Sequence, residues 1–398
     1  MHVVWYSLPA AASLSSFAAW AWLLVFRGGF WRAIRDAHLG PPGEASRRVE
    51  VVVPARDEAE NVGPAVFSLL SQDYAGPLHV TLVDDRSSDG TSLRAAEAAA
   101  ASPHPERLSI VEAVPLEAGW SGKLNALESG IRNASAQRPA PDYWLFTDAD
   151  IVHEPATVGE LVAKAERDRL DLVSLMVRLR CETGWERLLI PAFVFFFQKL
   201  YPFAWSNDPR KHTAAAAGGC VLLDDAALRR IGGIAAIKGA LIDDCSLAAA
   251  VKGSGGRTWL GLTDRSRSIR PYEGIGELWG MVKRSAFTQL DHSYPMLALT
   301  IAGMLFLYVV PPLATITGVL RRDRVLAASG AGAWLLMGLA YLPTLRAYRR
   351  PVASAAALPL AAALYTAMTV DSALAHLRKR GGRWKGRTYE SASPAAGA

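Results

Sequence analysis

Asp148 and Asp150, in the run Phe-Thr-Asp-Ala-Asp-Ile, put two carboxylates one residue apart directly after a short apolar segment. Such a pair suits a hard divalent cation, Mg2+ or Mn2+, which prefers oxygen ligands and commonly shares them with the phosphates of a substrate. An Asp-x-Asp alone occurs in any turn, but acids follow apolar runs at two further places. Pro54-Ala55-Arg56-Asp57-Glu58 stands after one, and Asp84-Asp85-Arg86-Ser87-Ser88-Asp89-Gly90-Thr91 after another. In an open α/β sheet the residues just past the carboxyl ends of strands line the ligand crevice, where acids accept hydrogen bonds from a ribose hydroxyl or a base N–H. Asp57 and Asp89 would serve equally well as helix caps. Asp84 and Asp85 are harder to explain by packing.

Two more candidates lie further along. Lys123, in Trp-Ser-Gly-Lys-Leu-Asn-Ala-Leu, precedes a helical stretch, so its ammonium and the first helix N–H groups suit a diphosphate. A lysine there is also an ordinary solvated helix start. Asp243 and Asp244 stand before a helix and a Gly-rich turn. One of them, Asp244 by preference, suits a general base that takes a proton from an acceptor hydroxyl; the plain alternative is an N-cap.

The elements that must position these residues alternate in type. Residues 49–53, 79–83, 108–113, 143–147 and 172–179 are short β-rich runs, and 58–71, 91–101 and 123–136 are helical between them. That rhythm predicts an α/β fold, a mostly parallel sheet wrapped by helices, over residues 48–295.

On either side the composition changes. Residues 3–26 carry no charge over a length that crosses a hydrocarbon core of about 30 Å, and Arg27, Arg32 and Arg35 follow at once. This predicts an uncleaved anchor over 1–27, its N-terminus outside and the chain from residue 27 onward cytoplasmic. Residues 296–320, 325–345 and 352–368 form three more apolar blocks within a membrane region spanning 296–375, ahead of a basic tail, 376–398. Three full crossings would put that tail outside, against the positive-inside tendency, so the first block is expected to turn back at Pro311-Pro312. Residues 185–205 are rich in aromatics, broken by Pro191 and Pro202 and flanked by Arg187 and Lys199. They read as an interfacial helix beside a lipid acceptor, or as a buried core helix. The expected location is the inner (cell) membrane, multi-pass, with a cytoplasmic catalytic domain.

The remaining composition excludes rather than assigns. The net charge of +6 gathers around the apolar blocks, which points to lipid headgroups and away from nucleic acid. Cys181, Cys220 and Cys245 are far apart and the eight histidines are scattered, so no zinc pattern or disulfide framework is expected.

Taken in order, Pro-x-Arg-Asp-Glu, Val-Asp-Asp-x-Ser-x-Asp-Gly-Thr, Ser-Gly-Lys-x-Asn-Ala-Leu, Asp-Ala-Asp and Asp-Asp resemble the family 2 inverting glycosyltransferases of GT-A (Rossmann-like) fold. The resemblance implies that Pro54, Ala55, Arg56, Glu58, Asp84 and Asp85 contact the nucleoside of a nucleotide-sugar and Lys123 its diphosphate. It further implies that Asp148 and Asp150 hold the metal, Asp148 also meeting the sugar, and that Asp244, next to Asp243, is the base. Many membrane members carry Gln-x-x-Arg-Trp on the acceptor side. Here that place reads Gln289-Leu290-Asp291-His292-Ser293. The Arg and Trp are missing, which argues against processive polysaccharide synthesis and leaves Gln289 and His292 as acceptor-side candidates. The N-terminal anchor and the strings at 190–202, 283–290 and 381–389 more closely resemble the hopene-associated glycosyltransferases, which implies a hydroxyl-bearing lipid acceptor such as a hopanoid or a polyprenyl phosphate. Two rivals remain. A membrane-associated nucleotidyltransferase would want a basic, Gly-rich loop after the first strand, where this chain is acidic. A non-catalytic nucleotide-sugar-binding protein would not need the full acidic set.

Overall fold

The computed structural model describes residues 2–34, 47–378, 383–384 and 387–388. Most of the basic tail expected over 376–398, with the string at 381–389, lies outside the described residues, as does Arg35. In chain order the elements are α1 (His2–Phe26), β1 (Val49–Ala55), α2 (Val62–Leu70), β2 (Leu78–Asp84), α3 (Thr91–Ala100), β3 (Leu108–Glu112), α4 (Gly122–Gln137), β4 (Tyr143–Thr147), β5 (Ile151–His153), α5 (Thr157–Asp168) and β6 (Leu172–Arg178). There follow α6 (Gly184–Leu200), α7 (Phe203–Ser206), β7 (Cys220–Asp224), α8 (Asp225–Arg230), α9 (Asp243–Gly253), β8 (Thr258–Ser268), α10 (Ile275–Ser285), α11 (Tyr294–Met304), α12 (Val310–Arg321), α13 (Arg324–Ala347) and α14 (Leu358–Leu377). They divide into an α/β unit, residues 34–180 and 205–271, and a helical unit, residues 2–33, 181–204 and 272–378.

The α/β unit is one eight-stranded sheet in the order β3-β2-β1-β4-β7-β6-β8-β5. β3, β2, β1 and β4 run parallel, as do β6 and β8, while β7 is antiparallel to both neighbours and β5 to β8. The sheet is therefore parallel in its first half and mixed in its second. All of β1, Val-Glu-Val-Val-Val-Pro-Ala, is buried. A strand covered on both faces needs a near-continuous apolar run; only Glu50 breaks it here, and Thr81 and Arg138 both donate to its carboxylate. The pleat sends Val51 and Val53 to one core with Val66, Leu69 and Leu161, and Val52 to the other with Leu124, Trp144 and Phe146. β5, β7 and β8 do not stand among the expected strands. β5 has three residues, and the second half of β8, Thr-Asp-Arg-Ser-Arg-Ser, reads as polar loop.

In the helical unit, α11 continues through a π-helical turn, Leu305–Val309, into α12, with no reversal at Pro311-Pro312. The expected hairpin is thus corrected. Two prolines deny two carbonyls their amide donors, and in the i−5 register of a π turn these are Phe306 and Leu307. Both find donors on α1: Ser16 Oγ donates to Phe306 O at 2.9 Å and Trp20 Nε1 to Leu307 O at 2.7 Å. With these groups satisfied the helix passes through intact.

Four helices are long and apolar enough to cross a membrane: Leu8–Phe26, Tyr294–Arg321, Arg324–Ala347 and Val352–Leu377. α12 and α13 are antiparallel, Gly318 lying against Ala327 and Gly330 against Thr315, the small-residue contact that lets helices approach closely. α13 therefore ends beside the start of α11. The 3-10 segment Val352–Ala357 folds back along α13, Ala355 meeting Gly338. At about 2 Å per residue it rises about 12 Å, less than half of a hydrocarbon core. The far end of α14 is fixed near the entry to α11: Trp279 donates to Asp371 at 2.8 Å, Ser372 takes the Phe287 N–H at 3.1 Å, and His376 stacks on His292. The chain at Pro351, before the 3-10 segment, and the C-terminal end of α14 therefore lie toward the same end of the bundle, while α14 starts about 12 Å in from it.

α6 packs as a buried helix of this unit. Phe195 lies against Phe30 and Tyr341, and Phe196 against Tyr308 and Tyr365. Of the two readings of residues 185–205, the core helix is the one its packing displays, with Trp185 and Leu200 exposed at its ends.

Candidate active site

The loops after β1 and β2 are tied into one structure. Asp57 and Arg86 hold left-handed backbone angles, φ 49° and 58°, a strain of the kind stored at functional sites. Asp57 N donates to Ser87 Oγ at 3.0 Å, Ser88 N returns a bond to Asp57 Oδ1 at 2.9 Å, Glu58 N reaches Thr91 Oγ1 at 2.8 Å and Ala59 N reaches Asp89 Oδ2 at 2.9 Å. Asp57 and Asp89 thus join the loops, while the N-cap positions of α2 and α3 belong to Asn61 and Gly90. Asp85 N donates to Ala55 O at 2.8 Å, and Arg56 Nη1 donates to Asp85 O at 2.6 Å, 3.6 Å from the Asp85 carboxylate. Asp84 takes the Ser87 N–H at 2.8 Å and the Ser92 hydroxyl, and it lines its own depression with Arg86, Ile110 and Glu112.

A second group converges at the end of β4 and the starts of α4 and α9. Lys123 Nζ lies 2.8 Å from Asp148 Oδ1 and 3.3 Å from Asp243 Oδ2. Asp244 accepts from Gly218 N at 2.8 Å and Cys245 N at 2.7 Å. Pro54, Lys123, Thr147, Gly218, Asp243 and Asp244 line one small cavity. A Cβ at Gly218 would stand 3.0 Å from Lys123 Nζ and 3.5 Å from Asp244 Oδ2, so a larger residue there would crowd the lysine. Asp243 and Asp244 occupy the first turn of α9, where the helix dipole favours negative charge; the N-cap position is Ile242, and Asp244 takes the Cys245 N–H of that turn.

Burial and the adjacent Asp243 push the Asp244 carboxyl up to about 6, against the pull of Lys123 and the two N–H donors. Burial likewise raises Asp148, with Asp150 and Asp243 adding repulsion and Lys123 opposing. Burial works against the Lys123 ammonium, but Asp148, Asp243 and Asp244 outweigh it and hold the charge in place. The result is one cation among carboxylates, one of which titrates close to neutrality. That suits a general base.

Asp150 accepts from Ser268 Oγ at 2.6 Å and lies 3.4 Å from Arg270 Nε, and Arg270 also pairs with Glu58. Arg270 therefore links an acid of the first loop to the Asp-x-Asp. It lies 212 positions from Glu58 in a segment without any motif, so no local signal marks it. For Gly218 there was one, the Gly-Gly directly ahead of the apolar run of β7. His153 was also missed. Its ring meets Thr147 Oγ1 at 2.9 Å and Ser266 Oγ at 2.8 Å, and burial lowers its pKa to about 4. A neutral imidazole thus joins β4, β5 and β8 beneath the Asp-x-Asp.

No group of three or more His, Cys, Asp or Glu side chains among the described residues could hold a metal ion by itself. Asp148 and Asp150 are close enough to repel. Two adjacent carboxylates fit a Mg2+ or Mn2+ ion whose other ligands come from substrate phosphate and water, not an all-protein cage.

Gln289 and His292 belong to the helical unit. Gln289 Nε2 donates to the Tyr201 hydroxyl at 2.8 Å, and His292 stacks on His376 at 4.3 Å between ring centres.

Residues 50–232 match the family "Glycosyl transferase family 2". Among solved structures the chain is similar to the mannosyltransferase PcManGT from Pyrobaculum calidifontis in complex with GDP-Man and Mn2+, with a TM-score of 0.54 and 20% identity over 93% of this chain and 99% of that one. A looser overlap, TM-score 0.39 and 19% identity over 64% of this chain and 82% of the other, relates it to glucosyl-3-phosphoglycerate synthase from Mycobacterium tuberculosis in complex with Mn2+ and uridine-diphosphate-glucose. The sheet order and the loop acids agree with the match of residues 50–232 to glycosyl transferase family 2: the α/β unit has the GT-A fold, and the protein is a glycosyltransferase.

Proposed function

We propose that this enzyme transfers a sugar from a nucleotide-sugar to the hydroxyl of a lipid acceptor, with inversion at the sugar carbon. The observation that carries the reading is the convergence of Lys123, Asp148, Asp243 and Asp244. Arg56, Glu58, Asp84 and Asp85, with the Pro54-Ala55 backbone, hold the nucleoside. Lys123 turns its ammonium to the diphosphate. Asp148 and Asp150 would hold the divalent ion, which supplies positive charge to the leaving diphosphate. Asp244 takes the acceptor's hydroxyl proton as the new oxygen–carbon bond forms opposite the breaking bond to the diphosphate oxygen. GDP-Man and Mn2+ in PcManGT support the class of donor and of metal.

The helical unit supports a multi-pass protein of the inner membrane. With residue 27 onward cytoplasmic, α1 enters, α11–α12 leaves and α13 returns. The 3-10 segment and α14 together bring the chain back toward the end where α13 closes and keep Arg378 on the side of Arg346, Arg349 and Arg350. On this reading Arg321, Arg322 and Arg324 face outside and these four arginines inside, in keeping with the positive-inside tendency without the turn at Pro311-Pro312. A hopanoid or polyprenyl acceptor rests on the sequence resemblance and on these apolar helices.

The test incubates full-length protein in detergent with radiolabelled nucleotide-sugars and a lipid extract, with and without chelator, beside Asp244→Asn. Label should enter lipid only with the parent and only with metal restored. Diphosphate release with nucleotide transfer would assign a nucleotidyltransferase instead, and binding without turnover a scaffold.

A further inference from the structure

Within the helical unit, a cavity of about 200 Å³ opens between the first turns of α6, the end of α13 and the 3-10 segment that follows it. Its walls are of two kinds. Arg187, Arg350 and Ser354 supply two guanidiniums and a hydroxyl, and Leu188, Tyr341 and Leu358 supply apolar surface. No carboxylate is among the lining residues, and no ion pair of Arg187 or Arg350 with an acid occurs among the described residues. Arg350 Nε is buried with no hydrogen-bond partner. An uncompensated guanidinium N–H costs stability unless a ligand satisfies it. Arginine presents a planar fork that matches the oxygens of a phosphate.

The surroundings narrow the ligand. Arg350 closes a helix long and apolar enough to span a membrane, and the cavity sits where that helix ends. Headgroup phosphates lie at that depth, just outside the hydrocarbon. Free phosphate would gain nothing from the apolar wall, whereas a lipid would lay its glycerol or its first prenyl carbons along Leu188, Tyr341 and Leu358. We propose that this cavity binds the phosphate group of a membrane lipid, held between Arg187 and Arg350, and so fixes the return of the chain from α13 into α14. It is a binding site separate from the cavity of Lys123 and Asp244, and it does not depend on which sugar or acceptor the enzyme uses.

The experiment uses full-length protein in neutral detergent, incubated with phosphatidylglycerol, with a polyprenyl phosphate, with phosphatidylcholine or with inorganic phosphate, and reads retained ligand by native mass spectrometry and the melting midpoint. The parent should retain an anionic lipid, and Arg187→Gln with Arg350→Gln should weaken its retention at least tenfold. Retention of phosphatidylglycerol but not polyprenyl phosphate identifies a bilayer phospholipid, and the reverse an isoprenoid phosphate; either supports the site. Because the double variant removes two charges and can fail to fold, Ser354→Phe serves as a second probe, filling the cavity while leaving both guanidiniums. It should lose the same lipid. Equal retention by parent and both variants, a preference for phosphatidylcholine, or a response to inorganic phosphate alone overturns the proposal. Sugar transfer by the Ser354→Phe variant reports separately on the catalytic reading.

Discussion

The α/β unit and the helical unit handle buried polarity in opposite ways. In the first, acids gather at strand ends and are balanced by cations from elsewhere in the unit: Lys123 between Asp148 and Asp243, Arg270 between Glu58 and Asp150, Arg56 beside Asp85. In the second, two backbone carbonyls that prolines have released, Phe306 and Leu307, are answered by the neutral side chains of Ser16 and Trp20. The balanced charges are reactive because an arriving substrate can exchange for one partner. The answered carbonyls only hold helices together. Disturbing the first kind should affect turnover most, and disturbing the second should affect only stability.

Asp244→Asn is the severest test. It removes the base, and its single amide oxygen can replace only one of the two carboxylate oxygens that accept from Gly218 and Cys245, so kcat should fall by about 10²–10⁴ with a loss of about 1 kcal/mol in stability from the bond that is not kept. In the parent, the ionised form of Asp244 does the work and its pKa is raised, so kcat/KM should fall as pH drops below about 6. An acid limb near 4, or none, would remove the assignment.

Lys123→Ala comes next. It strands Asp148 and Asp243 without their cation and should lower stability by about 2 kcal/mol, less than for a fully enclosed pair because Lys123 keeps 23% of its side-chain surface open. The loss should shrink from pH 7 to pH 5 as Asp244 and Asp148, both raised, take up protons. A loss that does not depend on pH would mean that Lys123 acts by packing.

His153 provides a milder, purely structural comparison inside the α/β unit. Its folded-state pKa, about 4, lies below the ordinary value of 6.5. The unfolded chain therefore binds a proton first, and the contribution of His153, complete above pH 6.5, is lost as pH falls towards 4. His153→Gln should flatten the pH dependence of the full-length protein's melting midpoint in that window. The smallest effect belongs to the helical unit. Trp20→Phe leaves the Leu307 carbonyl without its donor and should cost about 1 kcal/mol with sugar transfer intact. A loss of transfer would break the contrast between the units.

How much was legible in the sequence follows from the same contrast. Asp148-Asp150, Asp243-Asp244 and Lys123 were legible because strand ends and helix starts leave local signatures, and the structure brings them together. Asp84 stands at the strand end as expected, yet it faces a depression of its own. Arg270, His153 and β8 were not legible, since Ser266 lies 113 positions from His153 and Glu58 212 from Arg270, and the residues themselves look like ordinary loop. Pro311-Pro312 misled for the mirror reason. A proline pair is a strong local stop, and only Trp20 and Ser16, more than 280 positions earlier, show why the helix continues.

Lys123 has one more consequence. Lys123 balances only one of the three carboxylates around it, Asp148, Asp243 and Asp244, so the resting pocket keeps an excess of negative charge for an arriving divalent ion to meet. An ion that comes bound to a nucleoside diphosphate brings oxygens to which the ammonium can migrate, which makes loading a swap of partners.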